Sequence, residues 1–277
     1  MFENNRTGLD NFLEVMGIYE EPMGVFYTNV MPEAGFSPKA QTPISREAEE
    51  KNMIDWNAVQ RNFSCVMSKV WLARKKNTAA FFDKERFGCL GGAFYLGFMK
   101  PYLAIHPYYI STGIPDIIDG ERYVESPEIA EKFFKLFDPV PAPSRFLVVK
   151  PLTRFESGET PEVIVFFAKP EVITGLNALT VFMTNDIEVV KTPFGPGCAG
   201  IATWPFRYLK EGRLKAVLGG FDPSCRKFLK TDEVTFAVSL ELFNRMLERW
   251  EETFLNEREW TTVKKKINKS RNTWNDG

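Results

Sequence analysis

Histidine is almost missing from this 277-residue chain, which holds only His106. A multi-histidine metal centre is thereby excluded, because such sites need more than one imidazole. Cysteine is scarce as well, with four residues: Cys65, Cys89, Cys198 and Cys225. No two of them form a C-x-x-C pair, so zinc-ribbon and thioredoxin motifs are excluded on spacing. Net charge is nearly absent, since 35 Lys plus Arg face 36 Asp plus Glu for a formal charge of −1. That balance makes no electrostatic case for nucleic acid. No apolar run approaches the roughly 20 residues of a membrane-spanning helix. The opening residues Met1-Phe2-Glu3-Asn4-Asn5-Arg6 carry no apolar signal region. The default location is therefore cytosolic, where four cysteines are expected as thiols or metal ligands rather than disulfides. G-x-S-x-G, a P-loop lysine and a strand-following G-x-G-x-x-G are all missing too.

The remaining composition is that of a globular protein, 44% hydrophobic and 26% charged, with 25 Phe. Phe at that level suits flat ligands as well as ordinary core packing. Leu9, Phe12, Leu13, Val15 and Met16 mark a short amphipathic helix ended by Gly17. Strands are read at Met23 to Thr28, Thr78 to Phe82, Phe146 to Val149 and Val163 to Ala168, then at Ile187 to Val190, Leu214 to Leu218 and Val234 to Val238. Residues 29 to 52 read as a long excursion. A helix capped by Asp55 or Asn57 runs to about Arg74. Ser126-Pro127 starts a further helix, with Ser as cap and Pro at the first helical position. Pro170 opens another, to about Met183, and a third ends near Leu209. The last buries Phe243, Met246, Leu247, Trp250 and Phe254.

These elements predict an α/β or α+β fold, a mixed sheet with flanking helices, with two pseudo-repeated halves as an option. The expected organisation is a single domain over 1–277. Its candidate sub-boundary is 138–145, where Asp138-Pro139-Val140-Pro141-Ala142-Pro143 breaks the chain, and 258–277 is a polar, basic, solvated tail.

Two cysteines sit in similar settings. Phe87-Gly88-Cys89-Leu90-Gly91-Gly92 and Phe194-Gly195-Pro196-Gly197-Cys198-Ala199-Gly200 each place a thiol in a glycine-rich loop, between a strand and a helix. Glycine lets backbone approach a ligand closely. A helix N-terminus favours anions and lowers a thiol pKa. Gly88, Gly91, Gly92, Gly197 and Gly200 are therefore candidate cofactor-binding positions, and Cys89 and Cys198 candidate metal ligands. Cys65, on a continuous helix, falls on the side opposite Phe63 and Val70, with Ala58, Arg61, Ser68 and Leu72, so it is either incidental or faces a cavity rather than the core stripe. Cys225 lies in the turn Phe221-Asp222-Pro223-Ser224-Cys225-Arg226, where Arg226 is a candidate to bind an anionic group. Ligands from four separate segments can converge on one iron–sulfur cluster, whose sulfurs accept backbone hydrogen bonds. His106, in Ile105-His106-Pro107, serves as a hydrogen-bonded loop residue, a general base or an axial ligand.

The same residues carry a resemblance. Glu21-Pro22-Met23-Gly24-Val25, Cys65, Phe87-Gly88-Cys89-Leu90-Gly91-Gly92 with Tyr95-Leu96-Gly97, Val163 to Pro170, Gly197-Cys198-Ala199, Arg226 and Asp232-Glu233 together resemble the prokaryotic "domain of unknown function 169" family, from about Leu9 to Phe254. Leu90 stands where the family pattern carries Pro, and Cys225 matches that pattern least. The resemblance implies that Cys89 and Cys198 matter, and it supplies no reaction.

The leading expectation is a cytosolic cofactor-binding redox protein, with Cys65, Cys89, Cys198 and Cys225 as ligands and an iron–sulfur cluster as the candidate cofactor. Its rivals are a metal-free small-molecule binding protein and a thiol-dependent enzyme with His106 as base. The expected partner is a small molecule or a redox partner, with no nucleic acid and no membrane.

Overall fold

The computed structural model describes residues 6–42, 44–100 and 102–275. The first five residues, read above for a signal region, and the last two of the tail lie outside them.

The first half runs α1 (Arg6–Met16), β1 (Met23–Thr28), β2 (Gly35–Phe36), α2 (Arg46–Glu50), α3 (Trp56–Arg61), α4 (Val66–Lys76), β3 (Ala79–Phe82), α5 (Leu90–Tyr95) and α6 (Ile105–Ile110). A small hairpin follows, β4 (Gly113–Ile114) with β5 (Ile118–Asp119), and then α7 (Pro127–Phe137). The second half runs β6 (Phe146–Pro151), β7 (Val163–Ala168), α8 (Pro170–Thr184), β8 (Val190–Lys191), α9 (Trp204–Lys210), β9 (Ala216–Gly219), β10 (Val234–Ser239), α10 (Leu240–Arg249) and α11 (Arg258–Asn275).

The fold is α+β. Eight strands form one mixed sheet in the order β2-β3-β6-β1-β7-β10-β9-β8. The central pairings are antiparallel, while β2 with β3 and β8 with β9 are parallel. Strands from before and after 138–145 interleave, because β1 lies between β6 and β7.

Side chains alternate across a strand. In β7, Val163, Val165 and Phe167 therefore join one core, and Ile164, Phe166 and Ala168 the other. All six β7 residues are buried. Burying each large apolar side chain is worth roughly 1.5–3 kcal/mol, so this strand anchors both layers. The first core takes Val66, Met67 and Val70 of α4, Phe94 of α5 and Phe134 of α7. The second takes Phe12 of α1, Leu176 of α8 and Phe243 of α10.

Three expectations need correction. The helix read from Asp55 or Asn57 to Arg74 is two helices, α3 and α4. The Asn62 amide donates to the Ala58 carbonyl (3.1 Å) and closes α3, and Cys65 becomes the N-cap residue of α4. Cys65 therefore shares no continuous helical face with Phe63. The polar tail from 258 folds as the helix α11 and is anchored through Trp260 instead of being wholly solvated. Trp260 is buried, and its indole N–H donates to the Val15 carbonyl at 3.0 Å. Finally, the helix expected directly after Cys198 opens with a π turn, Ala199–Thr203, before α9. Pro205 has no N–H to offer the Ile201 carbonyl and crowds it, which widens the turn. Among the described residues, no helix is long and apolar enough to cross a membrane.

Candidate functional site

On the first face of the sheet, loops and helix ends enclose a cavity of about 170 Å³. Phe63 and Cys65 enter from the α3–α4 link, and Cys89 and Gly91 from the start of α5. Tyr109 of α6 and the Glu121–Tyr123 stretch close one side. Phe194, Gly197 and Cys198 form another wall, with Asp222, Ser224 and Lys227 beside them. The two cysteine-glycine loops therefore meet at one cavity, and Cys65 joins them.

Backbone bonds set these positions. The Ser64 N–H donates to the Gly88 carbonyl at 3.0 Å, which ties the Cys65 link to the first loop. Gly88 holds φ +85°, and a Cβ there would sit 2.5 Å from the Ser64 carbonyl oxygen. At Gly92 a Cβ would meet the Phe87 carbonyl oxygen at 2.0 Å. Only glycine permits this tight turn into α5. Cys89 then caps α5, its Sγ accepting from the Gly92 N–H at 3.3 Å. The second loop is pinned from the other side, where the Gly197 N–H donates to Asp222 Oδ2 at 3.3 Å. Ser224 holds the same carboxylate through its N–H (3.0 Å) and hydroxyl (2.8 Å).

Cys225 is fully buried behind Gly197, where a Cβ would meet its Sγ at 2.8 Å. Gly91 and Gly197 line the cavity. Gly88 and Gly92 shape the first loop, and Gly200 packs close to Gly219. Arg226 serves the fold instead of an anion. Its guanidinium donates to the carbonyls of Gly220 (3.1 Å), Glu233 (2.5 Å), Lys230 (3.0 Å) and Thr231 (2.9 Å).

The structure overturns the expectation of a cofactor-binding redox protein. Among the described residues, no three Cys, His, Asp or Glu side chains are grouped so as to hold a metal ion. All four cysteines are free thiols. The cysteines share a neighbourhood, but not a ligand geometry. Cys65, Cys89, Cys198 and Cys225 therefore do not form the ligand set expected for an iron–sulfur cluster.

The thiols are also far from activated. Burial is the first cause in every case, and it pushes Cys89 and Cys225 up to about 12. It drives Cys198 well above the ordinary thiol value, helped by the negative charge that Cys89, Cys65 and Asp222 would carry beside it. Burial raises Cys65 as well. The N–H groups of Gly92 and Gly91 pull Cys89 the other way, but desolvation wins. The six residues of α5 are too short a helix to change that balance.

His106 is likewise a bridge and not a base. The Leu103 N–H donates to its Nδ1 at 2.8 Å. Nδ1 must then be unprotonated, so Nε2 carries the hydrogen and donates to the Leu90 carbonyl at 3.1 Å. Burial lowers its pKa to about 4.

The electrostatic centre of the cavity is carboxylic. Burial, and then the charge of Asp222, push Glu121 up to about 7. The Tyr109 hydroxyl donates to Glu121 Oε1 at 3.2 Å and partly offsets this. Tyr123 is raised to about 12 by burial and by Asp222 and Glu121. Edge-on aromatic pairs build the walls: Phe63 with Tyr109 (5.7 Å between centroids), Tyr95 with Phe137 (5.0 Å) and Tyr123 with Phe194 (6.4 Å).

Sequence reasoning missed Glu121, Tyr109 and Tyr123, which lie in a stretch without periodicity or motif. Phe194 stood in the quoted Cys198 loop and Asp222 in the quoted Cys225 turn, and that adjacency was the only available signal.

The chain matches the model of the DUF169 family, described as "Uncharacterised ArCR", over residues 11–249. It belongs to that family. No curated protein and no solved structure matches it.

Proposed function

We propose that the cavity between the two cysteine-glycine loops is a binding site for a small organic molecule. The observation that carries this reading is an aromatic-walled cavity of about 170 Å³ with two carboxyl groups turned to it. Ligand sites are concave and mostly apolar, with a few placed polar groups. An apolar cavity of about 150 Å³ accommodates benzene. The ligand is therefore of single-ring size with short substituents. The thiols contribute as neutral, polarisable wall, because burial holds them protonated.

Gly91 allows a clean test. The nearest side-chain atoms to a Cβ there belong to Tyr95, at 3.5 Å, and Cys89, whose Sγ lies at 3.7 Å, both ordinary contacts with residues of the cavity wall. Gly91→Ala should therefore fold, and Gly91→Leu should fill the space. Benzylamine, benzyl alcohol and benzoate would be screened by ligand-observed NMR against wild type and both variants. Binding of at least one to wild type, lost in Gly91→Leu, supports the site. Equal binding to Gly91→Leu, or no binding to wild type, overturns it.

A further inference from the structure

Given that cavity as the binding site, its wall chemistry narrows the ligand. Three aromatic pairs surround it, and their ring faces and edges carry fixed partial charges. Aromatic faces attract cations, and cages of such rings recognise ammonium groups. Glu121 and Asp222 both line the same space. Asp222 is buried, and its oxygens are already oriented by Gly197 and Ser224. The opposing cation in the wall is Lys227, one charge beside two carboxyl groups.

From this arrangement we infer that the cavity selects a small organic cation, an amine or quaternary ammonium group joined to a flat apolar body. The ring of the ligand packs against the aromatic pairs, and its ammonium group meets the carboxyl groups of Glu121 and Asp222. A neutral isostere keeps the packing and loses the charge-assisted hydrogen bonds, which are about twice as strong as neutral ones. An anion meets two carboxyl groups in a poorly solvated space and is rejected.

A second observation points the same way. The acids facing the cavity are displaced toward their neutral forms: Glu121, Tyr109, Tyr123, Tyr95 and the thiols of Cys89 and Cys198. Burial is the first cause for each, and neighbouring negative charge adds to it. An incoming cation offsets the neighbouring negative charge and supplies a counter-charge where burial has removed water.

Isothermal titration at pH 8 with benzylamine, benzyl alcohol and benzoate tests the inference. Wild type should bind the benzylammonium ion at least about tenfold more tightly than benzyl alcohol, and benzoate most weakly. In Glu121→Gln and Asp222→Asn the ratio of benzylammonium to benzyl alcohol affinity should fall toward one. Because Asp222 also holds two loops, circular dichroism accompanies that variant, and Glu121→Gln gives an independent reading. Benzyl alcohol or benzoate binding as tightly as benzylammonium overturns the cation assignment while the cavity remains a binding site. Absence of all three from wild type removes both the site and its selectivity.

Discussion

Replacing Glu121 by Gln should make the folded protein more stable above neutrality. Glu121 titrates at about 7 in the fold, against 4.5 for an unperturbed Glu. The folded state therefore holds a proton that the unfolded chain gives up first. Stability from this group is full below the unfolded value and is lost as pH rises through about 7. At about 1.4 kcal/mol per factor of ten in proton affinity, the displacement corresponds to roughly 3 kcal/mol. Glu121 keeps some solvent contact, so screening reduces the expected effect to about 1–2 kcal/mol. Gln is isosteric, does not ionise, and can still accept from the Tyr109 hydroxyl. Urea unfolding at pH 5 and pH 8 would measure the difference. The variant and wild type should lie close at pH 5, with the variant ahead by about 1–2 kcal/mol at pH 8. A gap that fails to open with pH, or that opens in favour of wild type, refutes the placement of Glu121 in a desolvated, negatively charged cavity.

Two further outcomes follow from the same chemistry. At pH 7 all four thiols should react with iodoacetamide more slowly than in denatured protein, where thiols return to a pKa of about 8.5; peptide mass spectrometry would follow each site, and a native thiol faster than its denatured control would restore the activated-loop idea. His106 should make wild type acid-sensitive, because the unfolded chain takes up its proton first as pH falls from 6.5 toward about 4. Compared with His106→Asn by urea unfolding, wild type should lose up to about 3 kcal/mol more over that window, and parallel pH profiles would show that the imidazole does not titrate as described.

The sequence was legible where local chemistry decides structure. The strands at Met23 to Thr28 and Val163 to Ala168 were read at their observed limits, because uninterrupted apolar runs between turn residues declare buried strands. Ser126 and Pro127 announced α7 for the same kind of local reason. The two-residue strands β2 and β8 were illegible or displaced, since pairing defines them and composition does not. α11 was hidden because its anchor, Trp260 on Val15, joins residues far apart in the chain. At the cavity, glycine around Cys89 and Cys198 gave real information, because close backbone approach requires it. What that approach serves was misread. Thiol reactivity depends on desolvation, and desolvation depends on walls supplied by distant segments. Glu121 is the clearest case, an ordinary surface-type residue until Asp222 and the aromatic rings surround it.

The position of β1 in the sheet also governs how the protein comes into being. It precedes the other seven strands of the sheet along the chain, yet its partners β6 and β7 emerge only with Phe146 to Ala168. Until then a six-residue, largely apolar segment travels with both hydrogen-bonding edges open. Loop-closure entropy delays such non-local pairing, and unpaired edges invite association with other chains. The turn at Asp222 leaves the ribosome later still, so Cys65 and Cys89 also emerge well before the cavity that buries them can close. Expression yield and misassembly should accordingly respond to translation rate and to chaperone supply more than to substitutions on the finished surface.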